Sequence, residues 1–323
     1  PCYDFIMTTK RRILSMGCRE AIINDRFDMA LLVDIDRPEC VFKEVRNIVS
    51  MIFLSYDFEV LRKVFTDTAI LFKGKYPGYR ECNTGYHDLK HTTDVFLTMA
   101  RLIHGFYLEG YTFSRETIGL GLVSALLHDT GYIQAKDDND GTGSKYTLIH
   151  VERSIQFMKD YFRENGFSES DYEKCRRIVT ATNLSVKIDA IPFESEEERI
   201  MGKIIFMSDL LGQMSDRVYL ERLFFLFKEF NEGNVRGYAH EDDFLEKTVG
   251  FYELIRQRLE IEMGYEAKYM RHHFSRRWNI EKDLYLESTW KNITYLKYIL
   301  DCCKGNYRNM LKRGGIVSQL SSC

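Results

Sequence analysis

"TGYHDLKHTTDVF", residues 84–96, sets two histidines, His87 and His91, four positions apart, with Asp88 and Asp94 beside them. On a helix, that spacing places both imidazoles on one face. The apolar residues that follow, Val95, Leu97, Met99, Leu102 and Ile103, carry the pattern on and predict a helix over 87–108. Downstream, "SALLHDTGY" at 124–132 ends a strongly apolar helix on the pair His128–Asp129. A bare carboxylate is costly to bury there. A divalent metal removes that cost, because imidazole nitrogen and carboxylate oxygen are ligands of zinc, iron and manganese. Gly131 lets the helix stop and the backbone bend around an ion. A third stretch, "IIFMSDLLGQMSD" at 204–216, offers Asp209 after another apolar run as a fourth ligand; Asp216, in a more polar place, is the weaker candidate.

The rest of the chain reads as helix almost throughout. Only 4 prolines occur in 323 residues, which suits long uninterrupted helices. Three- and four-residue apolar steps run through 41–73 until "KGKYPGY" at 73–79 breaks them. Ser114 is placed to cap the helix that leads to His128. The polar, glycine-rich "AKDDNDGTGSKY" (135–146) is a loop, and its Lys136 and Lys145 read as solvated. Further helices are expected at about 147–164, 168–182, 196–215, 217–231, 242–263 and 281–303, with "ESEEER" (194–199) as a charged helix start. No strand pair is evident. The fold expected is all-α, a compact multi-helix bundle. Three segments are expected: 1–75 as a helical prefix packed on the core or left from a regulatory segment, 76–265 as the core, and 266–323 as a C-terminal helical extension.

Charge and composition exclude several classes. Lys+Arg is 45 and Asp+Glu 48, a net charge of −3, without the basic footprint of a nucleic-acid binder. The locally basic "RHHFSRRW" (271–278) reads as a solvated helix end. No stretch reaches the roughly 18 apolar residues of a membrane span, and no signal peptide opens the chain, which begins at Pro1 as a processed form or a fragment would. The eight cysteines lack CxxC spacing and read as reduced thiols of a cytoplasmic protein. Cys302 and Cys303, being neighbours, are poorly disposed to share one zinc ion. The lone histidines His104, His240, His272 and His273 read as ordinary core or surface residues.

The order His…His-Asp…Asp across separate helices resembles the HD-domain metal-dependent phosphohydrolases, and within them the catalytic domain of cyclic nucleotide phosphodiesterases. "NTGYHDLKHTTDV" (83–95) is similar to that group's Tyr-His-Asn-x-x-His-Ala-x-Asp-Val motif, and "SALLHDTGY" to its His-Asp helix. "RIVTATNLSVK" (177–187) looks like its Ala-Thr-Asp-Leu/Met-Ser helix. "FKEFNEGN" (227–234) and "FLEKTVGFYELI" (244–255) resemble later segments. The resemblance runs over about residues 80–260.

It implies an HD-domain, phosphodiesterase-like bundle with two divalent metal ions. His91, His128, Asp129 and Asp209 would hold the tighter ion, zinc, iron or manganese; Asp129 would bridge to a second, magnesium or manganese. A metal-bound hydroxide would attack the phosphoester, and His87 would protonate the leaving oxygen. His150, opening "HVERSIQFM", would ligate the second ion, contact a substrate phosphate, or simply cap its helix. Phe251 could stack on a base. Four departures stand out: Asp88 for asparagine, Gly131-Tyr132 for a second histidine, Asn183 for aspartate, and Thr248 for the glutamine that selects purines. The expected substrate is a cyclic nucleotide or related nucleotide. The alternatives are a nucleotide phosphomonoesterase and a non-catalytic metal- or nucleotide-binding sensor module. Long amphipathic helices at both ends could pair two copies as a homodimer.

Overall fold

In the computed structural model, residues 29–317 are described; they contain twelve α-helices and no strand. The chain divides into two compact units, residues 1–34 and 35–323. Of the first, only residues 29–34 are described, with a single 3-10 turn at Met29–Leu31. Residues 1–28 of the helical prefix expected over 1–75, and Cys2, Cys18 and Cys323, lie outside the described residues. The second unit holds every helix discussed below. No helix among the described residues is long and apolar enough to cross a membrane.

Two helices account for the 41–73 pattern, α1 (Pro38–Ile52) and α2 (Glu59–Phe72). The apolar period is continuous, but the backbone is not: Phe53 is extended, and the Asp57 carboxylate accepts from the Glu59 amide to start α2 afresh. Short polar residues offering such side-chain bonds compete with helix continuation. The central helix is α3 (Leu89–Leu108). It is buried on nearly every side because α1, α7, α10 and α4 pack around it. The helices α4 (Arg115–Leu127), α5 (His150–Glu164), α6 (Glu169–Thr180) and α7 (Glu196–Met214) follow. After them come α8 (Tyr219–Glu232), α9 (Glu241–Gln257), α10 (Ala267–Trp278), α11 (Leu284–Cys302) and α12 (Tyr307–Met310).

Side-chain caps open six of these twelve helices. Ser114 accepts from Thr117 N as expected, Ser168 and Asp171 form a capping box, and Ser195 accepts from Glu198 N to open the charged start of α7. The segment beyond 265 carries a helix the apolar pattern does not announce. α10 lays Tyr269, Met270, His273 and Phe274 against the core, so "RHHFSRRW" is solvated on one face only. Gly105 of α3 makes that contact close: a Cβ there would stand 2.1 Å from the Tyr269 carbonyl.

Candidate metal centre

Three elements bring the site together. Asp88 caps α3, accepting from the His91 amide at 2.8 Å. This cap orients the first turn and points His91 inward. Arg222 of α8 holds the same Asp88 carboxylate through both terminal nitrogens and bonds the Tyr86 carbonyl, so the entry to α3 is fixed from outside as well. At the end of α4, the His128 Nδ1 sits 2.8 Å from the Ala125 carbonyl. That bond makes Nδ1 the protonated nitrogen and leaves Nε2 with a lone pair, the ligating tautomer.

His91 Nε2 lies 3.1 Å from Asp129 Oδ2, and His128 Nε2 lies 3.2 Å from the same oxygen. All three atoms are buried, and none has a hydrogen-bond partner. A single buried polar atom left without a partner costs about 1–3 kcal/mol. Three of them aimed at one another need a common positive charge. Adjacent ligands with bonds of about 2.1 Å stand about 3.0 Å apart on an octahedron and about 3.4 Å apart on a tetrahedron, so the separations suit a divalent ion. Among the described residues, His91, His128 and Asp129 are the group of potential ligands whose atoms lie within 4.8 Å of one another. Asp209 of α7 stands at the rim: its Oδ1 is 3.3 Å from His91 Nε2 and 4.0 Å from His128 Nε2. Gln213, one turn on, donates to that oxygen at 3.0 Å while its own oxygen accepts from Tyr86 OH at 2.6 Å.

The electrostatics agree. Burial pulls His91 down, but the carboxylates of Asp129 and Asp209 overcome it and lift the imidazole to about 10. His128 is likewise raised against burial by Asp129. Burial pushes Asp129 up, yet His128 and His91 hold it well below the usual carboxylate range. The cluster draws in positive charge, as protons on its imidazoles or as a metal cation.

His87 and His150 flank the cluster on its open side. His87 Nδ1 is 2.6 Å from Glu229 Oε2 of α8, and Glu229 also accepts from the Tyr86 and His87 amides. His150 Nδ1 is 2.7 Å from the Thr147 carbonyl, so its Nε2 is the lone-pair nitrogen, 3.8 Å from Asp129 Oδ1. Tyr132 packs against both rings, with centroids 4.3 Å from His87 and 4.7 Å from His150, nearly parallel to both, and the two imidazoles are themselves 6.2 Å apart. Gly131 serves packing more than helix termination: a Cβ there would stand 2.0 Å from the His150 carbonyl. Its missing side chain lets α5 approach and sets His150 beside Asp129. The side chains of His150, Asp209 and His87 are 24%, 19% and 14% exposed, against 3% or less for His91, His128 and Asp129. Solvent therefore reaches the centre from the side those three line.

Thr248 and Phe251 are not joined to the cluster by any hydrogen bond or ring contact. The Thr248 hydroxyl is spent on the Phe244 carbonyl within α9, and Phe251 is half-buried without a ring partner among the described residues. Asn183 closes a turn after α6 by accepting from Ser185 N. Asp216 and Asp94 share Lys90 rather than facing the centre. Lys145 is not simply solvated; it bonds Asp138 and the Asp140 carbonyl within its own loop. The residues that sequence reasoning left out are Glu229, Tyr132 as a stacking ring, Gln213 and Arg222. Glu229 lies in "FKEFNEGN", but nothing in local spacing connects it to His87, 142 positions away.

What the fold and site define is an all-α protein with a buried His/Asp cluster able to hold a metal ion. The model of a family described as Npun_R2479-like matches residues 136–265, less than half of the chain. That span includes His150, Asp209 and Glu229 but not His87, His91, His128 or Asp129. No curated protein matches the chain.

Proposed function

We propose that the chain is a metal-dependent phosphohydrolase of the HD type that cleaves a phosphodiester of a nucleotide. The observation that carries this reading is the convergence of His91 Nε2, His128 Nε2 and Asp129 Oδ2, buried and without partners. A divalent ion held there would supply Lewis acidity toward phosphoryl oxygens and a lowered pKa for water. Asp209 completes the ligand set from the rim, and Gln213 fixes its orientation. Asp129 Oδ1 and His150 Nε2, 3.8 Å apart, would hold a second ion. His87 then holds a proton on Nε2 toward the leaving oxygen, with Glu229 keeping Nδ1 engaged and the ring in place. A purely structural metal site has no use for such an imidazole beside a ligand, 5.5 Å from the His91 ring just before the α3 cap, which favours catalysis over a sensor role.

A diester is favoured over a terminal phosphate by charge. Lys90, Arg222, Lys145 and Arg153, on the segments that build the site, are each engaged by carboxylates or carbonyls. A dianionic phosphomonoester would lack a guanidinium clamp, whereas a monoanionic diester needs only the metal. Base selection through Thr248 finds no support in its position.

The test is elemental analysis of the purified protein alongside turnover of a cyclic nucleotide, a linear dinucleotide and a nucleoside monophosphate. Bound transition metal with diester turnover that collapses in His87→Ala is the expected result. Metal without turnover of any of the three returns the sensor reading, and monophosphate turnover alone the nucleotidase reading.

A further inference from the structure

Two adjacent cysteines, Cys302 and Cys303, stand at the C-terminal end of α11. Neighbouring residues in a helix point about 100° apart, so two adjacent thiols normally diverge. Here Cys302 is the last helical residue, and Cys303, its C-cap, leaves the helix with φ −129° and ψ 33°. The break turns both side chains to one side, and the sulfurs stand 3.3 Å apart. The turn beyond them is fixed: Asn306 N bonds the Cys303 carbonyl at 2.9 Å, and Gly305 takes the left-handed backbone it requires, φ 75°. Cys302 is exposed and Cys303 half-buried, while Cys175 is buried. Among the described residues no other two thiols touch.

The separation selects the ligand. Two sulfurs on a tetrahedral zinc with bonds of about 2.3 Å stand about 3.8 Å apart. Bonds of that length spanning 3.3 Å subtend close to a right angle, the geometry of a pyramidal trivalent centre. We propose that Cys302 and Cys303 are a vicinal dithiol site for trivalent arsenicals. With an organoarsenic oxide, two S–H bonds break and two As–S bonds form. The oxide oxygen leaves as water with both protons, and arsenic stays trivalent, so no oxidant or reductant is needed. Two linked thiols hold the arsenic through a chelate, in which loss of one bond is followed by its re-formation at high effective concentration.

The experiment is intact-mass analysis of the full chain after phenylarsine oxide, first in excess 2-mercaptoethanol and then in 2,3-dimercaptopropanol. One phenylarsenic per chain is expected to survive the monothiol and to leave with the dithiol. Cys302→Ser and Cys303→Ser singly should each weaken retention roughly 100-fold or more, the loss of a chelate, while Cys40→Ser and Cys82→Ser leave it unchanged. A wild type stripped by the monothiol, or undiminished retention in the Cys302→Ser/Cys303→Ser double variant, overturns the assignment.

Discussion

Glu229 Oε2 sits 2.6 Å from His87 Nδ1 across 142 residues of chain, and the same carboxylate holds the backbone amide of Tyr86. The imidazole beside the His/Asp cluster is thus oriented by a buried group from another helix. Glu229→Gln should leave metal content unchanged while lowering kcat on a diester, approaching the roughly 10²–10⁴-fold loss of a removed proton donor. His87→Ala should match it, and the double variant should be no worse than either alone. Steady-state kinetics with metal analysis decides the matter.

Gly131 admits no side chain, because a Cβ would meet the His150 carbonyl at 2.0 Å. Gly131→Ala should destabilise the protein by about 1–3 kcal/mol, the range for overpacking. It should also impair divalent-ion binding by pushing α5 away from Asp129. Thermal unfolding and metal titration measure the two effects separately.

Asp88 stands where the resembling motif has asparagine, and both residues cap helices well. Asp88→Asn should keep the α3 start, whereas Asp88→Ala should cost about 1 kcal/mol for the cap, and more because Arg222 loses its carboxylate partner. Chemical denaturation of the two variants distinguishes these outcomes.

His104 and His273 meet in the core, Nδ1 to Nδ1 at 3.0 Å, one donating to the other. Burial, with Arg276 and Arg277 nearby, lowers His104 to about 4, and burial with Arg101 lowers His273 well below its ordinary value. A histidine with a depressed folded pKa binds fewer protons folded than unfolded. Its contribution is therefore intact above the unfolded value near 6.5 and is lost as pH falls toward 4. For His104 that loss is on the order of 3 kcal/mol. His104→Asn, whose amide can take the Nδ1 position, should flatten the fall in unfolding free energy between those pH values. An unaltered slope would remove the pair as its cause.

The sequence by itself determined the all-α class, because helical apolar periods, caps such as Ser114 and a near absence of proline are local signals that backbone sterics obey. It also marked His87 and His91 by their spacing of four, and His128, Asp129 and Asp209 because a histidine or carboxylate closing an apolar run is expensive to bury without a ligand. The break at Phe53 escaped it because the apolar period runs on through the turn. Only the tertiary structure decided that Glu229 holds His87, that Tyr132 stacks on two imidazoles, that Gln213 steadies Asp209, and that no hydrogen bond or ring contact joins Thr248 and Phe251 to the cluster. Those relations join residues from different helices, and their geometry is set by how the helices pack, which spacing along one chain does not encode.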